Sequence, residues 1–197
     1  MSSREEILRK LRDNTRATYD MPDLKAMSPI VYDDPVNEFI VKATTTGGAT
    51  LLEKSSDESL DDVVRRAYPD AGIIASNIAG VTAQLNPDVA DARELMKTDV
   101  GVVEGCIGVA ENACVWTPQQ MKEKAVLFAS QRLVIVLRRD GIVNNMHEAY
   151  ARIAESKDYF RQYKFGTFIS GPSKTADIEG ALVYGAQAAR GVTIVLC

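Results

Sequence analysis

The chain has 197 residues, the size of one ordinary globular domain, and its 46% hydrophobic and 25% charged residues exclude a disordered or fibrous protein. The net charge is −4 and no basic run is longer than two, which disfavours nucleic-acid binding because phosphate neutralisation needs clustered positive charge. No apolar stretch approaches about 18 residues, and the acidic residues near the start are atypical of a signal or transit peptide, so we expect no membrane span and a cytoplasmic location.

The first part of the chain predicts a helix followed by an irregular arm. Ser3, with Glu6 three residues later, fits a capping box, so we expect a helix over about 4–14. Residues 15–34 contain two prolines and little periodicity, which predicts a connecting arm that lies over the domain or reaches a partner subunit. We therefore divide the chain into an N-terminal helix and arm, 1–34, and a single α/β domain, 35–197.

From Pro35 onward, segments typical of strands and helices alternate. The expected helices are 35–46, 60–67, 89–96, 118–128 and 144–157. The expected strands are 49–53, 72–75, 100–103, 114–117, 133–137, 165–170 and 192–196. The continuous aliphatic run 133–137 is typical of a central parallel strand, which must be covered on both faces. About seven strands alternating with helices predict a three-layer α/β fold with a mainly parallel, open sheet.

The segment FGTFISGPSKTADIEGALVYG reads as a strand, a tight loop and a helix. Gly171 ends the strand, and Ser173 and Thr175 are residue types that cap helices, with Asp177 and Glu179 in the expected first turn. Such a loop would direct helix N–H groups, two hydroxyls and the Lys174 ammonium to one point, as α/β proteins do when they bind phosphate or carboxylate. The alternative is a well-capped helix with a solvated Lys174. The candidate ligand-binding residues of this loop are Gly171, Ser173, Lys174, Thr175 and Asp177.

Glu111 is the candidate catalytic residue. It lies between two apolar, strand-like segments, where a charge is costly without a partner. An enclosed Glu can have a raised pKa and act as base or nucleophile; the alternative is a structural Glu bonded to backbone amides. Asn112 and Thr82 are further candidate ligand-binding residues, although such polar loop residues also serve turns. We expect Glu111 and the Gly171 loop to line one crevice at the carboxyl ends of the strands.

The cysteines and the single histidine do not predict a metal site. Cys106, Cys114 and Cys197 have the spacing neither of a zinc site nor of iron–sulfur ligation, and their odd number suggests a reducing compartment. We expect Cys106 and Cys114 to be small core residues and His147 to lie at the surface. Motifs of the GxGxxG and Walker types are absent from the sequence. We therefore expect no metal and no cofactor in this chain.

Three stretches carry a resemblance to a known family. GPSKTADIE, from Gly171, resembles the signature of the LUD domain, the lactate-utilisation protein C family. SREEILRKL, from Ser3, resembles the opening helix of that family, and GVAENACVW, from Gly108, lies where the family has an Ala-Glu-Thr-Gly-type segment. The order and spacing agree over nearly the whole chain. Because Asn112 and Ala113 replace the Thr-Gly of the family, the chain is identified as a divergent member.

The resemblance implies a fold related to sugar-phosphate isomerases and coenzyme A transferases. The stretch around Glu111 is similar to the Ser-Glu-Asn-Gly segment of coenzyme A transferases, in which the Glu is the nucleophile. The resemblance also implies an accessory subunit in the oxidation of L-lactate to pyruvate, with iron–sulfur clusters only in partner proteins. The alternative is a free-standing enzyme or sensor that binds an anionic small molecule such as a coenzyme A ester or a sugar phosphate. Such a protein could act as a homo-oligomer.

Overall fold

The computed structural model describes residues 2–17, 19–23, 26–156, 165–177 and 180–197. The α-helices are α1 Ser3–Asn14, α2 Pro35–Thr44, α3 Leu60–Ala67, α4 Val126–Ala129 and α5 Met146–Glu155. The strands are β1 Thr50–Glu53, β2 Ile74–Ala75, β3 Val100–Gly105, β4 Ile107–Val109, β5 Cys114–Pro118, β6 Arg132–Leu137, β7 Ile142–Val143, β8 Gly166–Ile169, β9 Lys174–Thr175, β10 Val183–Tyr184 and β11 Gly191–Leu196. Ala92–Lys97 and Arg139–Gly141 form 3₁₀ helices.

The first helix begins one residue before the expected position. Ser2 is the cap: its hydroxyl accepts from the backbone N–H of Glu5, and the Glu5 carboxylate accepts from the N–H of Ser2. The capping box is therefore Ser2 with Glu5, and not Ser3 with Glu6. In the described part of 15–34, no α-helix or strand follows, as the prolines predicted. No helix among the described residues combines the length and apolar character needed to cross a membrane.

A five-stranded parallel sheet forms the centre of the fold, in the order β1-β11-β6-β3-β2. Strand β6 is its middle strand, as its aliphatic sequence predicted. Leu133, Ile135 and Leu137 face a core that also contains α2 and α4, whereas Val134 faces a second core that contains α3. Helices therefore cover both faces of the sheet. The predicted three-layer α/β fold with a mainly parallel sheet is confirmed.

A second, mixed sheet packs against the α2 side of the parallel sheet, in the order β7-β4-β5-β8. Val115 points toward the main core, while its neighbours Cys114 and Trp116 belong to a smaller core under α5. This alternation is the ordinary two-residue period of a strand covered on both faces. The strands expected at 114–117 and 165–170 thus lie in the second sheet, beside the five parallel strands.

The helix expected over 118–128 is wrong for most of its length. Pro118 ends β5, where it pairs with Gly166, and only Val126–Ala129 is helical. The side chain of Gln119 donates to the carbonyl oxygens of Met121 and Lys122, which holds the chain in a tight non-helical turn. Proline is tolerated both at a strand end and at a helix start, because neither position needs its N–H as a donor. Pro118 therefore could not distinguish the two structures from the sequence.

Candidate ligand-binding site at the Gly171 loop

The Gly171 loop packs against the turn that joins α2 to β1. Gly171 has a φ of 66°, and a Cβ there would lie 2.0 Å from the carbonyl oxygen of Gly47. Only glycine combines this left-handed backbone with so close an approach. Since Gly47 shortly precedes β1, the loop lies at the amino ends of the parallel strands. The expected position at the carboxyl ends is therefore wrong, because β8 belongs to the second sheet.

The helix expected after Gly171 is also wrong among the described residues. Lys174 and Thr175 form β9, which pairs antiparallel with Val183 and Tyr184 of β10. The N–H of Ser173 donates to the carbonyl oxygen of Ala189 at 2.9 Å, so a backbone partner far along the chain replaces a helical one. The loop consequently offers no helix N-terminus to an anion. Glu179, placed in the expected first turn, lies outside the described residues.

The ammonium group of Lys174 does not stand free over the loop. It donates to the carbonyl oxygen of Gly47 at 2.7 Å and to that of Thr46 at 3.1 Å. These bonds hold the loop and the α2–β1 turn together. A ligand would therefore have to share this ammonium with two backbone carbonyl oxygens. These bonds also argue against the alternative drawn from the sequence, in which Lys174 is only solvated.

The other candidate residues of the loop have different surroundings. The hydroxyl of Ser173 accepts from the N–H of Gln187 at 3.4 Å, which ties the loop to the segment before β11. Thr175 is half-buried in β9 and is not a helix cap. Asp177 is exposed beyond β9. Of these three residues, only Ser173 lies in the wall of the cavity beside the loop.

A cavity of about 420 Å³ lies between this loop, the start of β6 and the start of β11. Leu127, Phe128, Leu133, Phe168 and Val192 form much of its wall. The polar side chains in the wall are those of Thr167, Ser170, Ser173, Lys174 and Gln187. Hydroxyl and amide groups on an apolar wall are the usual means of orienting a small ligand. The structure thus brings Gly171, Ser173 and Lys174 to one concave site.

Glu111 lies at the turn between β4 and β5, where it is exposed. Its Oε2 accepts from the N–H of Met146, the first residue of α5, at 2.9 Å, and its carbonyl oxygen accepts from Lys42 Nζ at 3.2 Å. The expectation of an enclosed carboxylate is wrong, because the two apolar segments form a hairpin with Glu111 at its tip. The observed contact with a backbone amide is the structural alternative considered from the sequence.

Asn112 and Thr82 lie at different distances from the Gly171 loop. The carbonyl oxygen of Asn112 accepts from Ser170 Oγ at 3.0 Å, so the Glu111 turn and the Gly171 loop are neighbours. Neither Glu111 nor Asn112 lines the cavity. The backbone N–H of Thr82 donates to Asp61 Oδ1 of α3 at 2.7 Å, which places Thr82 on the opposite face of the parallel sheet. The structure therefore does not bring all the predicted site residues together.

The sequence did not single out Ser170 or Gln187 as lining residues. Ser170 has a local signal, since it stands directly between a strand and Gly171. Gln187 has none, because it reaches the cavity through the contact of its backbone with Ser173.

The three cysteines are free thiols that differ in exposure. Burial raises the pKa of Cys106 and of Cys114 to about 12, so both are protonated at neutral pH. Cys197 is exposed, and His147 is exposed near the start of α5. Within the described ranges, no three His, Cys, Asp or Glu side chains are grouped so as to hold a metal ion.

The architecture and the sequence can be placed among known proteins. The fold is similar to the crystal structure of a DUF162 family protein from Deinococcus radiodurans, with a TM-score of 0.64 and 15% sequence identity over 85% of this chain and 99% of that chain. No curated protein matches the chain. The family model of the LUD domain matches residues 7–197, nearly the full length, which confirms the resemblance carried by GPSKTADIE. The chain therefore belongs to the LUD domain family.

Proposed function

We propose that this LUD-family protein is an accessory subunit in the oxidation of L-lactate to pyruvate, acting with iron–sulfur partner proteins. Oxidation of L-lactate to pyruvate removes two electrons and two protons from the hydroxyl-bearing carbon and its hydroxyl group. In this proposal the iron–sulfur clusters of the partners accept the electrons, and the present chain contributes a docking segment. Family membership supports the proposal, since lactate utilisation is the role for which the LUD domain is named.

The observation that carries the proposal is the exposed apolar character of the N-terminal segment. No described residue of α1 is buried, and Ile7 and Leu11 are 56% and 61% exposed on one side of that helix. In the arm that follows, Met21 and Val31 are 78% and 71% exposed. Apolar side chains gathered in one segment without a core of their own are typical of a protein–protein contact. A helix of this kind is stabilised when a partner covers its apolar side.

Affinity capture from the native cell tests this proposal. The tagged full chain should retain proteins that carry iron–sulfur clusters, identified by mass spectrometry and by the visible spectrum of an anaerobic eluate. Changing both Ile7 and Leu11 to Asp should abolish that capture, because the docking side of α1 becomes charged. Met96→Asp is the matched control, since Met96 is also exposed but lies in a 3₁₀ helix of the main domain.

A second measurement addresses lactate itself. Cells that lack this chain should lose L-lactate-dependent respiration, and the parent chain and the Met96→Asp variant should restore it. Retention of no iron–sulfur protein, together with unchanged L-lactate consumption in the deletion strain, would refute the proposal.

The cavity at the Gly171 loop favours a second candidate function, the binding of an anionic small molecule by the free chain. Its wall combines apolar side chains with the hydroxyls of Ser170 and Ser173 and with Lys174. A coenzyme A ester or a sugar phosphate carries both the anionic and the apolar or hydroxyl groups that such a wall can contact.

Thermal stabilisation by a panel of acyl-coenzyme A esters, sugar phosphates and small carboxylates tests this second function. A ligand that binds the folded chain raises its melting temperature as its concentration exceeds its dissociation constant. The Ser173→Ala and Lys174→Met variants should lose the ligand-induced rise, while Lys97→Met, which alters an exposed lysine elsewhere, should keep it. If no compound stabilises the parent, or if the Ser173 and Lys174 variants respond like the parent, the cavity does not bind anions.

A further inference from the structure

We propose that Arg132 and Arg190 form a binding site for a phosphate or carboxylate group at the amino edge of the parallel sheet. This site adjoins the cavity beside the Gly171 loop, with which it shares Pro172 and Val192, but the lining of that cavity includes neither arginine. It depends on neither of the functions proposed above.

The topology places both arginines at the same edge. Arg132 is the first residue of β6, and Arg190 directly precedes β11. These two strands are parallel neighbours with Gly191 opposite Arg132, and the N–H of Arg190 donates to the carbonyl oxygen of Gln131 at 3.1 Å. The backbones of the two arginines therefore lie close together at this edge, and both residues line the same two cavities.

Neither guanidinium is neutralised within the part of the chain that the structure describes. Among the described residues, eight ion pairs are present, and none of them includes Arg132 or Arg190. Arg65 and Arg66, by comparison, are paired with Asp61 and Glu58. The protein has a net charge of −4, so two neighbouring unpaired arginines form a locally positive region on a negatively charged molecule. A locally positive region attracts anions.

Two glycines make room for these side chains. A Cβ at Gly191 would lie 2.8 Å from Cδ of Arg132, and a Cβ at Gly185 would lie 2.5 Å from Cβ of Arg190. Gly185 also has a φ of 84°, a conformation that glycine adopts readily. The backbone therefore lets both arginine side chains pack close to the start of β11, where Arg132 is half-buried.

The two arginines share a cavity of about 420 Å³ that carries no acidic side chain among its described lining residues. Tyr68, Tyr184 and Thr50 contribute polar or aromatic groups to its wall. An oxyanion there would have both arginines in its surroundings and no described acidic residue. The planar guanidinium binds phosphate and carboxylate through two parallel hydrogen bonds, which makes arginine the preferred side chain for such groups.

The acidic residues near the arginines line a different cavity from the proposed site. Asp70 and Asp99 line a smaller cavity of about 240 Å³, which also includes Tyr68, Arg132 and Arg190. The Oδ2 atom of Asp99 accepts from the backbone N–H groups of Gly72 and Ile73 at 3.0 and 2.8 Å. These amides satisfy that carboxylate, and it forms no ion pair with either arginine among the described residues. We therefore assign the anion to the larger cavity.

Isothermal titration calorimetry of the full chain tests the site, with inorganic phosphate in one series and succinate in another at constant ionic strength in sodium chloride. One equivalent of at least one of these anions should bind. Binding of phosphate but not succinate would identify a phosphate-bearing ligand, and the reverse result a carboxylate. Arg132→Gln and Arg190→Gln should each weaken binding about tenfold or more, the loss expected for a charge-assisted hydrogen bond.

Matched variants separate this site from non-specific attraction. Arg152→Gln changes the net charge equally at an exposed position of α5 and should leave the affinity unchanged. Arg132→Lys keeps the charge but loses the bidentate hydrogen-bond donor, so its affinity for the anion should lie between those of the parent and of Arg132→Gln. Arg190 is exposed, so its variant should fold even if Arg132→Gln does not. The proposal fails if neither anion binds, if Arg190→Gln binds like the parent, or if Lys174→Met abolishes binding while Arg190→Gln does not.

Discussion

The ammonium group of Lys174 donates a hydrogen bond to the carbonyl oxygen of Gly47 at 2.7 Å, across two segments that are far apart in the sequence. The same group bonds to the carbonyl oxygen of Thr46. Lys174, in the stretch that resembles the family signature, therefore fastens its loop to the turn before the first parallel strand.

Replacing Lys174 by Met should destabilise the protein by about 1 kcal/mol, because the buried Gly47 would lose the partner of its carbonyl oxygen. Urea unfolding at neutral pH measures the change. Lys97→Met is the control and should leave the midpoint unchanged within error. A solvated Lys174, the alternative considered from the sequence, predicts that the two variants behave alike.

Replacing Gly171 by Ala should cost about 3 kcal/mol or more, since the new Cβ would lie 2.0 Å from the carbonyl oxygen of Gly47. Gly180→Ala is the matched control. Gly180 has a nearly identical φ of 68°, but a Cβ added there would have no atom of the described residues within 4 Å, so the expected cost is the backbone strain of about 1 kcal/mol. Equal unfolding free energies for the two variants would show that the close contact with Gly47 does not exist in solution.

Alanine substitutions at Ser59 and Thr175 compare a residue that caps a helix with one that has a capping residue type but lies in a strand. Ser59 accepts from the N–H of Asp62 at the start of α3, so Ser59→Ala should destabilise by about 1 kcal/mol. Thr175 lies in a strand, and Thr175→Ala should cost less than about 0.5 kcal/mol. Chemical denaturation of both variants provides the measurement. A larger loss for Thr175 than for Ser59 would favour the helix predicted from the sequence.

The cysteines should differ sharply in reactivity. Cys197 is exposed and should react quickly with Ellman's reagent at pH 8, whereas Cys106 and Cys114 should react only after unfolding, because burial raises the pKa of each to about 12. Cys197→Ser should remove the fast phase. Two or more fast thiols in the native parent would contradict this assignment.

The same pKa shift predicts a loss of stability at alkaline pH. Below the unfolded-state pKa, close to 9.0, the Cys114 thiol is protonated in both states and contributes no pH dependence. Above it, the unfolded chain releases the proton first, so stability falls as the pH rises toward the folded-state pKa of about 12. Unfolding midpoints of the parent and Cys114→Ala, measured under reducing conditions from pH 8 to 11, should therefore converge. A difference that stays constant over this range would contradict the predicted shift.

The sequence alone predicted the elements whose signals are local. Pro35 predicted a helix start, and helices were also expected over 60–67 and 144–157. All three helices are present, and the caps of the last two, Ser59 and Asn145, act within one helical turn. The aliphatic run of β6 likewise predicted a strand covered on both faces, because its own residues must be removed from water. Gly171 was also recognisable, since a glycine before a proline marks a turn with unusual backbone angles.

Tertiary structure alone decided the chemistry of the candidate sites. Ser173 and Thr175 have the local signature of a helix start, but bonds from Ser173 to Ala189 and from Lys174 to Gly47 hold the segment in a different conformation. Glu111 was placed between two apolar segments, and only their pairing as a hairpin moves it to an exposed tip. Arg132 and Arg190 had no shared pattern in the sequence. They become neighbours because β6 and β11 pair in parallel, and strand pairing is set by the burial of the whole sheet and not by residues close in the chain.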